Sequence, residues 1–79
     1  MKAEIHIGQL IKQEMERQGR KPSWLAKELN YTRYNVYKIF ARRYIDTETL
    51  LHISQLLGVD FFAVYTRHLQ LYLSSLKSV

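Results

Sequence analysis

The sequence predicts an all-α fold of five helices. Apolar residues recur at three- and four-residue spacing from end to end, and no stretch alternates as a strand does. Residues that start and stop helices then cut the 79 residues into five segments.

The first helix carries Ile7, Leu10, Ile11 and Met15 on one face, with Lys12, Glu14, Glu16 and Arg17 mostly off it. Gly19 closes it, because glycine accepts the left-handed conformation common at helix ends. Pro22 suits the first position of the second helix, where its missing N–H costs nothing. That helix packs through Leu25, Ala26 and Leu29 and stops at Asn30, another residue tolerant of positive φ. Thr32, Asp46 and Asp60 are N-caps for the remaining three helices. Each has an apolar neighbour before it and another four positions on: Tyr31 with Val36, Ile45 with Leu50, Val59 with Val64. This is the hydrophobic-staple spacing. The fourth helix buries Leu50, Ile53, Leu56 and Leu57 and ends at Gly58. The fifth, over about 61–76, is apolar around much of its surface, and the surplus predicts a second covered face.

At 79 residues the chain reads as a single domain, 1–79, with no linker, repeat or low-complexity tract. A chain this short buries only about 60% of the surface its unfolded form exposes, so its stability margin is thin. It contains no cysteine, which excludes disulfides and thiolate metal sites and fits a cytoplasmic protein. The amino-terminal stretch Met1–Gly8 lacks the features of a signal peptide, and no apolar run reaches the ~20 residues of a membrane span. The net charge of +5 is unevenly spread. Arg17, Arg20, Lys21, Lys27, Arg33, Lys38, Arg42 and Arg43 lie between residues 17 and 43, opposed there by Glu28 alone, whereas acidic residues outnumber basic ones elsewhere. Such polarity suits a polyanion met on one face.

The stretch from Leu25 to Phe40 resembles the helix-turn-helix of phage repressors and Cro proteins, the XRE-like family. The resemblance rests on Leu25-Ala26 in the supporting helix, Asn30 at the turn, Tyr31 after it, and Val36 and Ile39 in the next helix. Ala26 is small where the following helix crosses it, and Val36 plugs the facing side. Ile7-Gly8-Gln9-Leu10-Ile11 and Thr49–Val59 resemble the family's first and fourth helices, so the likeness covers about residues 5–65. It implies a five-helix lambda-repressor-like DNA-binding domain in which helices 2 and 3 form the helix-turn-helix, built on Leu25, Ala26, Leu29, Val36 and Ile39. The chain departs from the family at Pro22, where a phosphate-contacting glutamine is common, and at Phe40 and Arg42, where an acidic residue and a glycine often stand.

The resemblance implies base reading by the first, second and sixth positions of the recognition helix (33–40), here Arg33, Tyr34 and Lys38. A helical wheel turns Val36, Ile39 and Phe40 inward and Tyr34, Tyr37, Lys38 and Ala41 outward, with Arg33 on the flank at the amino end. Arg and Lys suit guanine O6 and N7. Lys21, Ser23, Lys27, Asn35, Tyr37, Arg42 and Arg43 are candidates for the DNA backbone, Asn35 falling on the core side of the wheel. Trp24 is expected either to cover a seam between helices or to lie along the backbone of DNA. The implied partner is double-stranded DNA, the implied role transcriptional regulation, repressor-like. Phe62, Leu69, Tyr72, Leu73 and Leu76 are candidates for homodimerisation.

Two other classes compete. The first keeps the fold without DNA binding and uses surface tyrosines against a protein; a related one is the antitoxin of a toxin–antitoxin pair. The second, an enzyme, is disfavoured: His6, His52 and His68 are widely separated with no ligand-spaced companion, and no carboxylate pair or phosphate-cradling glycine loop is present. No catalytic residue, metal or cofactor is expected.

Overall fold

The computed structural model describes residues 4–77; residues 1–3, on which part of the amino-terminal reading falls, and 78–79 lie outside the described residues. The described residues form five α-helices and no strand: α1 (Ile7–Gln18), α2 (Pro22–Leu29), α3 (Arg33–Ala41), α4 (Thr47–Leu57) and α5 (Ala63–Lys77). One apolar cluster joins the first four. Ile7, Ile11 and Met15 meet Leu25 and Ala26, Val36, Ile39 and Phe40, and Leu50, Ile53 and Leu57, with Phe61 added from the turn before α5. Each fully buried aliphatic here contributes about 1.5–3 kcal/mol. Leu10, Trp24, Leu29, Leu56, Phe62 and Tyr65 pack partly against this cluster.

The predicted punctuation operates as local chemistry. Gly19, Asn30 and Gly58 all take left-handed backbone at helix ends, with φ of 73°, 58° and 69°. In each case the next N–H reaches back five residues: Arg20 to Met15 O, Tyr31 to Ala26 O, and Val59 to Ser54 O. This is the Schellman closure, which satisfies carbonyls the helix leaves over. Thr32 Oγ1 accepts from Asn35 N at 3.2 Å, and Asp46 accepts from Thr49 N and Thr49 Oγ1, both at 2.8 Å. Those two bonds from Thr49 hold the Asp46 carboxyl below its ordinary pKa. His6 supplies the cap of α1, its Nδ1 accepting from Gln9 N at 3.1 Å, a role its residue type did not announce.

The last boundary differs from expectation. Asp60 Oδ1 accepts from Phe62 N at 3.0 Å, but residues 61–62 form a turn and α5 begins at Ala63. The turn sends Phe61 into the core instead of along the helix. Beyond Tyr65 every described residue of α5 is exposed, and none of α5 is fully buried. At ~1.5 Å per residue the helix is about 22 Å long, and it stretches the molecule to 49 Å against 23 and 22 Å across.

The amino end of α1 sits on the exit of α3. Ile7 N donates to Arg43 O at 2.9 Å and Gly8 N to Arg42 O at 3.0 Å. Two N–H groups that α1 leaves unpaired thus meet two carbonyls just beyond α3. The approach requires the absence of a side chain: a Cβ on Gly8 would stand within 2.6 Å of the carbonyl oxygens of Ile39, Phe40 and Arg42. The other end of α1 is fastened to α4. Gln18 Nε2 donates to Leu57 O at 2.9 Å and to Glu14 Oε2 at 2.7 Å, so one amide caps α4 and braces a carboxylate.

Gly8→Ala is expected to lower stability by about 3 kcal/mol, the upper range for forcing extra atoms into a packed site. Urea unfolding should show an earlier midpoint at similar slope; a loss below about 0.5 kcal/mol would contradict the close approach. A second expectation concerns acid. Hydrogen bonds from Arg17 and then Gln18 hold the Glu14 carboxyl at about 2, against an ordinary 4.5. Unfolded chain takes up this proton first, so the contribution is complete above pH 4.5 and is lost as pH falls toward 2. Glu14→Gln should show a smaller decline in stability across that window than the parent chain.

Candidate nucleic-acid interface

The side of α3 that does not face the core is built from large polar and aromatic groups. Val36, Ile39 and Phe40 are buried, which turns Tyr34, Tyr37, Lys38 and Ala41 outward as the wheel predicts. Tyr34 is 70% exposed and Tyr37 53%. Lys38 lies one turn after Tyr34 and its ammonium stands 5.4 Å from the ring centre, within the range of a cation–π attraction. Tyr37 meets Phe40 edge-on at 6.2 Å, which anchors one tyrosine to the core below it. Arg33 opens the helix and is exposed. The structure therefore brings Tyr34 and Lys38 into direct contact and keeps Arg33 beside them at the helix start.

Asn35 departs from its expected place. It is exposed, and it lines an open cleft of about 310 Å³ with Tyr31, Lys38, Arg42, Ile45, Asp46 and Thr49. Val36, Ile39 and Phe40 are the buried residues of α3, and Asn35 beside Ile39 opens on the cleft that it lines with Arg42, Ile45 and Asp46, so it reaches solvent. Tyr31 borders this cleft and also the next one along α4, a position that its reading as a staple residue did not reveal.

On the other side of α3, the start of α2 carries a second cluster. Arg20, Lys21, Ser23, Trp24 and Lys27 line a shallow depression of about 530 Å³ with Gln18 and Gly19. Trp24 packs partly against the core, and the Arg20 guanidinium lies 4.0 Å from its ring centre. The indole thus covers a seam on one face and supports a cation on the other. Arg20, whose charge and place beside Lys21 already suggest it as a companion of the backbone candidates, is held at the cluster by this stacking, which no spacing in the sequence signals.

The basic residues are not all equally available. Arg17 is held by Glu14, with its Nε donating at 3.0 and 3.1 Å. Arg43 Nη1 lies 2.7 Å from Glu4 Oε1, although both side chains remain more than half exposed. Among the described residues no ion pair engages Arg20, Lys21, Lys27, Arg33, Lys38 or Arg42. Arg33 and Lys38 stand on α3 itself, Arg20, Lys21 and Lys27 at and before the start of α2, and Arg42 just past α3, where it faces Asp46 across the cleft.

Of the association candidates, Phe62 is half-buried against the core and serves the fold first. Leu69, Tyr72, Leu73 and Leu76 are exposed, between 45% and 59%. At 100° per residue these four fall with Tyr65 in one stripe about 100° wide. Leu71, 73% exposed, lies outside it.

Among the described residues no group of three His, Asp or Glu side chains is placed to hold a metal ion. His6 caps α1, while His52 and His68 are exposed on α4 and α5. No described helix is long and apolar enough to cross a membrane. No family model, curated protein or solved structure matches this chain.

Proposed function

We propose that this chain is a sequence-specific double-stranded DNA-binding protein of the helix-turn-helix type, acting as a small transcriptional regulator. The observation that carries the reading is the outward side of α3, where Arg33, Tyr34 and Lys38 are exposed. Among the described residues Arg33 and Lys38 have no carboxylate in an ion pair, and a second cationic cluster stands at the start of α2. In this reading α2 supports, α3 enters the major groove amino end first, and Arg33 and Lys38 meet guanine edges. Tyr34 reaches a base edge or a thymine methyl and also steadies Lys38. Lys21, Ser23, Lys27, Asn35, Tyr37 and Arg42 meet sugar and phosphate; Arg43 joins them by exchanging the Glu4 carboxylate for a phosphate.

The apolar stripe of α5 suits a second copy. Leu69, Tyr72, Leu73 and Leu76 form a seam of helical spacing that the described residues leave exposed. Two copies joined there present two recognition helices to major-groove segments about 34 Å apart on a partly palindromic site.

A competing reading is favoured by the same tyrosines: Tyr31, Tyr34, Tyr37 and Tyr44 are all exposed, Tyr44 to 76%, and aromatic side chains of this kind also anchor protein interfaces. Gel-shift titration on random-sequence DNA at 50 and 200 mM salt separates the two. Binding that weakens steeply with salt supports the DNA reading, and binding absent at both salts supports the protein interface.

On a site selected from a random DNA pool, Arg33→Ala should cost about 1–3 kcal/mol and relax preference at one base pair. Arg43→Ala should weaken all sequences alike; a loss confined to the selected site would remove Arg43 from the backbone set. For association, Leu69→Glu with Leu76→Glu should give monomers in sedimentation while leaving the helical signal unchanged. A pair of substitutions that leaves the sedimenting mass unaltered would place the interface elsewhere.

A further inference from the structure

A groove on the α1 side of α3 joins Arg20 and Tyr37 to Gln9, Lys12 and Glu16, residues given no part in DNA binding above. It has a volume of about 350 Å³, and its apolar lining is Met15 and Phe40, both buried, with Pro22 and the exposed Ala41. Gln9, Lys12, Glu16, Arg20 and Tyr37 form the rim. Met15 and Phe40 are buried at its base, whereas Gln9 and Lys12 are exposed above it, with Arg20 held on Trp24 and Tyr37 against Phe40. The two cations outnumber the one carboxylate, and neither Lys12 nor Arg20 is in an ion pair among the described residues.

The chemistry of this lining is that of a sugar–phosphate strand: an apolar bed for the deoxyribose face, with amide, phenol and cationic donors above it for phosphate oxygens. Pro22 sharpens the point. At the first position of α2 it offers neither an N–H nor a polar side chain, which leaves a gap in donors between Lys21 and Ser23. The donors across the groove, from α1 and α3, stand opposite that gap. The groove is also continuous with the outward side of α3, because Tyr37 belongs to both.

We infer that α1 takes part in DNA binding, with Gln9, Lys12 and Tyr37 seating one backbone segment over Pro22 and Phe40. The inference rests on the DNA-binding reading and extends its footprint from α2 and α3 onto α1. Lys12 acts there as a phosphate contact without sequence preference, and Glu16 opposes the strand from the same rim.

Absence of cysteine from the chain makes a direct test clean. Gln9→Cys and Ser23→Cys, each labelled with a photoactivatable benzophenone, are irradiated in complex with duplex DNA. Both labels should cross-link. Cross-linking from position 23 and none from position 9 would overturn the α1 contact and leave the DNA reading standing; none from either would sink both. In parallel, Lys12→Ala should lower the slope of log affinity against log salt by about 0.9, the value for one phosphate contact. Lys77→Ala, the same loss of charge at the far end of α5, should leave the slope as it was. Equal changes from the two substitutions would reduce the role of Lys12 to net charge and remove the seat.

Discussion

Backbone groups orphaned at two helix ends meet at Gly8, and the arrangement of the molecule follows from that meeting. Helix α1 begins with donors it cannot use internally, and the connection after α3 offers acceptors of its own. The bonds from Ile7 and Gly8 to Arg43 and Arg42 settle both needs at once. They also set the distance between the helices, since only a glycine lets the main chains come this near. The cluster of Ile7, Ile11 and Met15 with Ile39 and Phe40 then closes over a fixed spacing instead of choosing one for itself.

The outward side of α3 inherits its position from this contact. Its amino end is set by Asn30 and Thr32, which turn the chain from α2 and cap the new helix within three residues. Its exit is set by α1. A helix held at both ends by backbone bonds and sealed by three buried side chains keeps its exposed groups in constant relation. Lys38 over Tyr34, Tyr37 against Phe40 and Arg20 over Trp24 add a further layer, each spending aromatic surface to limit the freedom of a neighbouring side chain.

Much of this was legible because it is local. Gly19, Asn30 and Gly58 end helices through their own backbone preferences, and Thr32 and Asp46 begin them through their own side chains, so neighbours within five residues decide the outcome. The inward set on α3 was likewise readable from period alone. What escaped depends on partners distant in the chain. Gly8 looks like any glycine near a helix start until residues more than thirty positions away arrive at its Cα. Gln18 becomes a cap only because the end of α4 comes to it, and Arg43 acquires Glu4 only because the amino end of α1 is docked beside it. Asn35 was misplaced for a related reason: a wheel knows the helix but not where the neighbouring elements part.

Independence of the outer part of α5 from the core has a consequence for how such a chain changes over generations. Side chains between Thr66 and Lys77 are all exposed, so substitutions there carry little penalty in foldedness. The apolar stripe proposed above for self-association is thereby free to drift while the α3 surface stays intact. Under the pairing proposed for this stripe, duplicate copies of the gene could cease to recognise one another through a handful of changes at Leu69, Tyr72, Leu73 and Leu76, each retaining its own scaffold.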